Sequence, residues 1–206
     1  MKFINYILKY AGVAAIPVYI IFTYASHIHN RKINPLEFWL SEYGNPIFNP
    51  SGAVIYNTGC VLTAILLAIF YIGMYRWYRR GRTARRFNIA YMAAQASGLI
   101  GSVFVILTTI YTLGTDNQMH SIFSTANMIA MDFFLSFTAT GFLMNPKIHK
   151  SVGIFGFFAS AFNVVTMNAF SDFYISEWIF FLLFMIYMIL VAVQYEKLAV
   201  QKTDVS

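Results

Sequence analysis

Long apolar runs alternate with short polar gaps along this chain. Six runs are long enough to cross a membrane: about Ile4 to Ser26, Val54 to Trp77, Phe87 to Leu113, Met119 to Met144, Val152 to Phe170 and Ile175 to Tyr195. A spanning helix needs roughly 20 mostly apolar residues, and inside lipid its backbone polar groups are satisfied within the helix itself. The pattern predicts an all-α, polytopic membrane protein, a six-helix transmembrane bundle forming one domain over residues 1–206. The first run has some marks of a cleaved signal: Lys2, then an apolar stretch ending at Ala25 and Ser26. A signal core is about 7–15 residues long. Tyr10 to Ser26 is longer, so the run is read as a retained first helix.

Polar residues inside the runs are periodic. In the third run Asn88, Gln95, Ser102 and Thr109 recur every seven residues, with Gly98 beside them. Seven residues are two helical turns, so these groups share a face. In the fifth run Gly153, Gly156, Ser160 and Asn163 form a comparable face. Such faces serve close helix packing and interhelical hydrogen bonds, or they line a ligand, and both readings are open. The fourth run opens with the capping pattern Thr115-x-x-Gln118. Asp116, His120, Ser124 and Asn127 then descend one face at spacings of four, four and three. Ser121, Thr125, Asp132, Ser136 and Thr140 make a second stripe on the same helix. Asp132 lies roughly 18 Å below His120 at 1.5 Å per residue, near the middle of a core about 30 Å thick. No Lys or Arg falls in the middle of a run, Lys9 being the nearest. An ionised carboxyl there is costly, so Asp132 is expected to be neutral or heavily hydrogen-bonded. It is either packing glue with Gln95, Asn163 or Asn168 as partner, or a proton-binding residue.

The charges orient the bundle. Twelve of the fourteen Lys and Arg lie in alternate gaps or near the chain ends, and Arg76 to Arg86 alone holds six Arg. The other gaps, His27 to Ala53, Gly114 to Gln118 and Ser171 to Ser176, carry Glu37, Glu42, Asp116 and Asp172, with only Arg31 and Lys32 as cations. Glu177 begins the last run from that same side. Cytoplasmic loops are enriched in Lys and Arg, which puts both termini in the cytoplasm of a plasma-membrane protein. The charged fraction, 11%, is too low for a soluble globule, where about 25% is usual. The net charge of +6 is read as orientation and contact with anionic membrane lipids rather than nucleic-acid binding. The single Cys60 excludes an intrachain disulfide.

The outer loop, 27–53, has structure of its own. Asn34 before Pro35 is a good N-cap followed by Pro at the first helical position. A short interfacial helix is expected through Leu36, Phe38, Trp39 and Leu40 to Gly44, with Trp39 at headgroup depth. Asn45-Pro46 and Asn49-Pro50-Ser51-Gly52 read as turns. The segment is either a simple re-entry loop or a lid.

Phosphate loops, nucleophile elbows, HExxH, paired Cys and Glu-x-x-His are absent, as is any internal repeat. Two stretches do carry a resemblance. One is Ser41-Glu42-Tyr43-Gly44-Asn45, then Pro50, then Ile55-Tyr56-Asn57-Thr58-Gly59. The other is Asp116 with His120. With six spans in this order the chain resembles the prokaryotic membrane-protein family called domain of unknown function 998. The resemblance implies a six-helix bundle in which Ser41, Glu42, Gly44, Asn57, Asp116 and His120 cluster on the outer side, and it implies no known reaction. A more distant likeness is to membrane-embedded zinc hydrolases of lipids, which use a Ser, an Asp and several His. His149 falls on the inner side, so three His ligands here would require His27, His29 and His120 together.

The working expectation is a lipid- or amphiphile-binding protein, or an accessory factor. Glu42, Asn57, Asp116 and His120 would line the mouth of an outward-facing polar pocket, and Trp39 and Trp178 would flank it. No cofactor is expected in that reading. One alternative is a metal-dependent lipid hydrolase with Asp116 and His120 as zinc ligands and Glu42 as ligand or base. Another is a proton-coupled carrier using Asp132.

Overall fold

A computed structural model describes residues 2–79, 85–169 and 173–199, with the side chains of 2–5, 168, 169 and 199 left aside. Arg80, Arg82 and Asp172, and the side chains of Lys2 and Asn168, therefore lie outside the described residues.

The apolar runs fold as six long helices: α1 (Lys2–His29), α2 (Ala53–Gly73), α3 (Arg85–Ile110), α4 (Asn117–Met144), α5 (Lys150–Ala169) and α6 (Ile175–Ala199). Each is long and apolar enough to cross a membrane, and the described residues include no strand. Successive helices pack on one another and α6 returns to α1, so the bundle runs up and down and closes on itself. Six crossings bring both termini to one end. The opposite end carries the long first loop. Outward faces are apolar, as lipid requires: Ile21, Val103, Ile154 and Val193 are exposed.

At the termini end the core is aromatic. Trp77 packs edge-on against Phe70, Tyr91 and Tyr195, and the Tyr195 hydroxyl donates to the Gly73 carbonyl at 3.0 Å. The polar stripe of α3 closes the same region. Gln95 Nε2 donates to the carbonyls of Tyr71 and Ile72 at 2.9 and 3.1 Å, groups at the end of α2 that also accept the Met74 amide. The Tyr78 hydroxyl donates to Gln95 Oε1. Asn88 accepts from the Arg79 amide and donates to the Arg79 carbonyl, both at 2.8 Å. Burial of the ring pushes the Tyr78 hydroxyl pKa up, which keeps it a donor to Gln95. On α5, Gly156 lets the Tyr187 ring approach, Ser160 Oγ meets Ser136 Oγ at 3.1 Å, and Asn163 Nδ2 donates to Asp132 Oδ2 at 2.8 Å. Of the partners expected for Asp132, Asn163 is the one found; Gln95 is engaged at the end of α2.

The loop end departs from the sequence expectation in two local details. No α-helix begins at Asn34. Its Oδ1 accepts the Leu36 amide at 3.0 Å in an Asx-turn, and a 3-10 turn forms later, over Leu40–Gly44. That turn starts where it does because the Glu177 carboxyl, from the first turn of α6, accepts the Leu40 amide at 2.7 Å. At the start of α4 the cap is Asp116, which accepts from the Met119 amide at 3.0 Å. Thr115 instead donates to the Thr112 carbonyl, which removes it from the expected capping pattern. Gly114 precedes this cap at φ 86°, in the left-handed region that glycine tolerates.

Candidate functional site

The first loop folds back over the bundle as a packed cap. Ile33, Leu40 and Tyr43 are buried with Tyr19, Tyr56 and Cys60. Asn49 Nδ2 donates to Ser26 Oγ and the Tyr43 carbonyl at 2.9 and 3.0 Å. Asn45 Oδ1 accepts the amides of Ile47 and Phe48, so the turns expected at Asn45 and Asn49 are present. Trp178 Nε1 donates to the Phe38 carbonyl at 3.0 Å. With the Glu177–Leu40 bond, this ties the loop to α6 at two points. Tyr43 is the hub of the cap. Its ring meets Tyr56 and Trp178, and its hydroxyl lies 2.8 Å from His27 Nδ1. Burial pushes the Tyr43 hydroxyl pKa up to about 12, so it stays neutral through the physiological range.

Beneath the cap lie three adjoining cavities. The first, of about 300 Å³, is lined by Trp39, Ser41, His120, Ser124, Asn163 and Glu177 among others. The second, of about 60 Å³, shares Ser41, His120, Ser124 and Glu177 with the first and adds Asn57, Thr108, Thr109 and Asn127. The third, also about 60 Å³, shares Tyr19, Cys60, Val105, Asn127 and Phe181 with the second. Its remaining wall is largely apolar and includes Met131, Phe134, Phe184 and Met188. Polarity therefore falls from the loop end toward the middle of the bundle. Among the described residues, no Lys or Arg lines any of the three.

Two atoms stand out in these walls. His120 is 7% exposed, and its Nδ1 lies 2.8 Å from the Tyr111 carbonyl. A carbonyl only accepts, so Nδ1 carries a proton, and in that tautomer Nε2 is an acceptor; among the described residues Nε2 is buried with no protein partner. Asn127 is 6% exposed, its amide nitrogen donates to Met131 Sδ at 3.5 Å, and its Oδ1 is likewise without a partner. Thr63 Oγ1, in the third cavity, is a further buried atom without a partner among the described residues, whereas Trp77 Nε1 and Tyr187 Oη line none of these cavities.

The residues singled out from sequence separate into two groups. His120 and Asn57 line the polar cavities, with Trp39 beside them. Asp116 caps its own helix, and Glu42 accepts from Asn45 Nδ2 at 2.8 Å; neither lines the cavities described. Trp178 lines a separate groove of about 520 Å³ between the loop, α1 and α6, together with His27. Asp132 lies behind Asn163. Among the described residues, no three of His, Cys, Asp and Glu converge as a metal-ligand group. Glu177 was not anticipated as a site residue, because its partner Leu40 is 137 residues away in sequence. Ser124 and Asn127 were signalled by their spacing from His120.

The six apolar helices define a multi-pass membrane protein with a polar, cap-covered chamber at one end of its bundle. The chain belongs to the family described as Protein of unknown function (DUF998), whose model matches residues 13–194. No curated protein and no solved structure matches it.

Proposed function

We propose that this protein binds a lipid or small amphiphile, polar head under the cap and apolar tail toward the middle of the bundle. The observation that carries the reading is the graded wall. His120, Ser124 and Glu177 face the wider, polar cavity, and Met131, Phe134 and Phe184 face the inner one, with Asn127 at the join. Ligand sites combine mostly apolar walls with a few placed polar groups. The expected orientation has the cap outside a prokaryotic plasma membrane and both termini in the cytoplasm, as the six Arg of Arg76 to Arg86 require. Native mass spectrometry of gently solubilised protein tests the binding. A retained amphiphile is expected in the wild type and its loss in Ser124→Phe, which fills the shared neck. A bare spectrum for both would sink the reading. Orientation is tested separately: in intact cells an impermeant thiol reagent should label Gln118→Cys and spare His149→Cys.

One contact favours a second reading, a proton-coupled carrier. Asn163 both lines the 300 Å³ cavity and donates to Asp132, so the acid stands one hydrogen bond from the chamber. Asp132→Asn keeps the shape and an acceptor. Under this reading it folds normally and abolishes pH-gradient-driven uptake; under the packing reading it changes neither.

A further inference from the structure

Several hydroxyl protons along the chamber wall are turned inward. Thr108 and Thr109 donate to the carbonyls of Val105 and Ile106, both at 2.7 Å. Thr166 donates to the Phe162 carbonyl at 2.9 Å, Asn57 Nδ2 to the Gly44 carbonyl at 3.1 Å, and Asn163 Nδ2 to Asp132. The threonines present lone pairs to the space, while the Asn57 and Asn163 amides each keep one further N–H. Among the described residues, His120 Nε2 and Asn127 Oδ1 are buried acceptors with no protein partner. The Glu177 carboxyl adds acceptor oxygens, and among the described residues no Lys or Arg lines the wall. The hydroxyls of Ser41, Ser124 and Ser176 can turn either way. A buried acceptor left without a donor is costly, so a ligand that donates to these atoms gains what the empty chamber lacks. A phosphate or carboxylate head would bring further lone pairs against these acceptors.

Resting on the amphiphile reading above, we infer that the ligand carries hydrogen-bond donors without negative charge, of alcohol or primary ammonium type, taken up by His120 Nε2 and, two helical turns away, by Asn127 Oδ1. The same acceptors serve both head types, so the test separates them.

Protein in phosphatidylcholine nanodiscs is titrated with probes of one alkyl chain: a monoacylglycerol, a primary alkylamine, an alkyltrimethylammonium and an alkyl phosphate. Melting temperature and the fluorescence of Trp39, which lines the cavity, are followed. The monoacylglycerol or the amine should bind about tenfold or more tighter than the phosphate, a difference of about 1.4 kcal/mol per decade. Whichever of the two binds tighter identifies the source of the proton. His120→Phe and Asn127→Leu should each lower that preference while leaving the fold intact, and either alone suffices if the other fails to express. Trimethylammonium binding as tightly as the primary amine would overturn the donor assignment in favour of charge alone. Phosphate binding as tightly as the donors would overturn the head assignment and leave the amphiphile reading standing. If no probe shifts either signal, both readings fall.

Discussion

The polar stripes of α3 and α4 look alike in sequence and end differently in the fold. On α3, Asn88, Gln95, Ser102 and Thr109 all find protein partners, either in the α2–α3 connection or on their own helix. On α4, His120 and Asn127 each keep one buried atom without a partner, and that atom belongs to a cavity wall. Seven-residue or four-residue spacing identifies a buried face in both cases. Whether the face is seam or chamber depends on what the neighbouring helix offers across it. Opposite α3 stand the carbonyls at the end of α2, which accept its donors. Opposite His120 and Asn127 stand Thr108, Thr109 and Gly101, whose hydroxyl protons are already used or which carry no side chain at all.

The largest test of that contrast is Gln95→Leu. It removes three hydrogen bonds at once, those to the Tyr71 and Ile72 carbonyls, which keep the Met74 amide, and that from the Tyr78 hydroxyl. A loss of about 2–3 kcal/mol is expected, since each stranded buried group costs about 1–3 kcal/mol and membrane references soften the sum. Reversible unfolding in mixed micelles measures it. A loss under half a kcal/mol, on the order of a surface substitution, would mean that α3 is not the seam described here.

Next comes the tie between cap and bundle. Glu177→Ala leaves the Leu40 amide without its acceptor and should lower stability by about 1–2 kcal/mol, in the range of a lost helix cap. Glu177→Gln keeps a carbonyl oxygen and should lose less. Hydrogen exchange at Leu40 gives a local reading: it should quicken in the Ala variant before any change is seen in the aromatic core around Trp77. Equal protection in wild type and Ala variant would disconnect α6 from the cap.

Asn127→Leu sharpens the comparison by its sign. In the ligand-free protein it removes an acceptor that has no partner, so stability should rise, by about 1 kcal/mol. The same change on the α3 stripe lowers stability. A destabilised Asn127→Leu would show that the asparagine is structural and would move α4 into the same class as α3.

These contrasts also mark how far the sequence reaches. The six helices were legible from apolar length, because lipid admits few other solutions. His120, Ser124 and Asn127 were legible as a face from their spacing. The cap was not, since it depends on Glu177 meeting Leu40 and on Trp178 meeting Phe38, pairs 137 and 140 residues apart. In the first turn of a helix Glu177 reads as an ordinary dipole-favoured acid. Asp116 and His120, four residues apart, suggested a shared ligand. The backbone separates them, because the Asp116 side chain is used at its own helix start and His120 Nδ1 turns to Tyr111.

The smallest effect should come from Tyr43, on the cap itself. Its hydroxyl bonds to His27 and lies 3.4 Å from the Ile33 carbonyl. Removing it in Tyr43→Phe should lower stability at neutral pH by about 0.5–1 kcal/mol. Alkaline pH separates the hydroxyl from the ring. Burial raises the hydroxyl pKa from 10.0 to about 12. Between those values the unfolded chain has lost the proton and the folded chain keeps it. The folded state then binds more protons, so the contribution, fully present below pH 10, declines as pH rises toward 12. The Phe variant has no such proton, and tyrosines elsewhere titrate identically in both proteins. The gap in melting temperature between wild type and Tyr43→Phe should therefore narrow, and can reverse, across that interval. A gap that stays constant through pH 12 would mean that the Tyr43 hydroxyl titrates alike in both states, and that the cap is open to water at its hub.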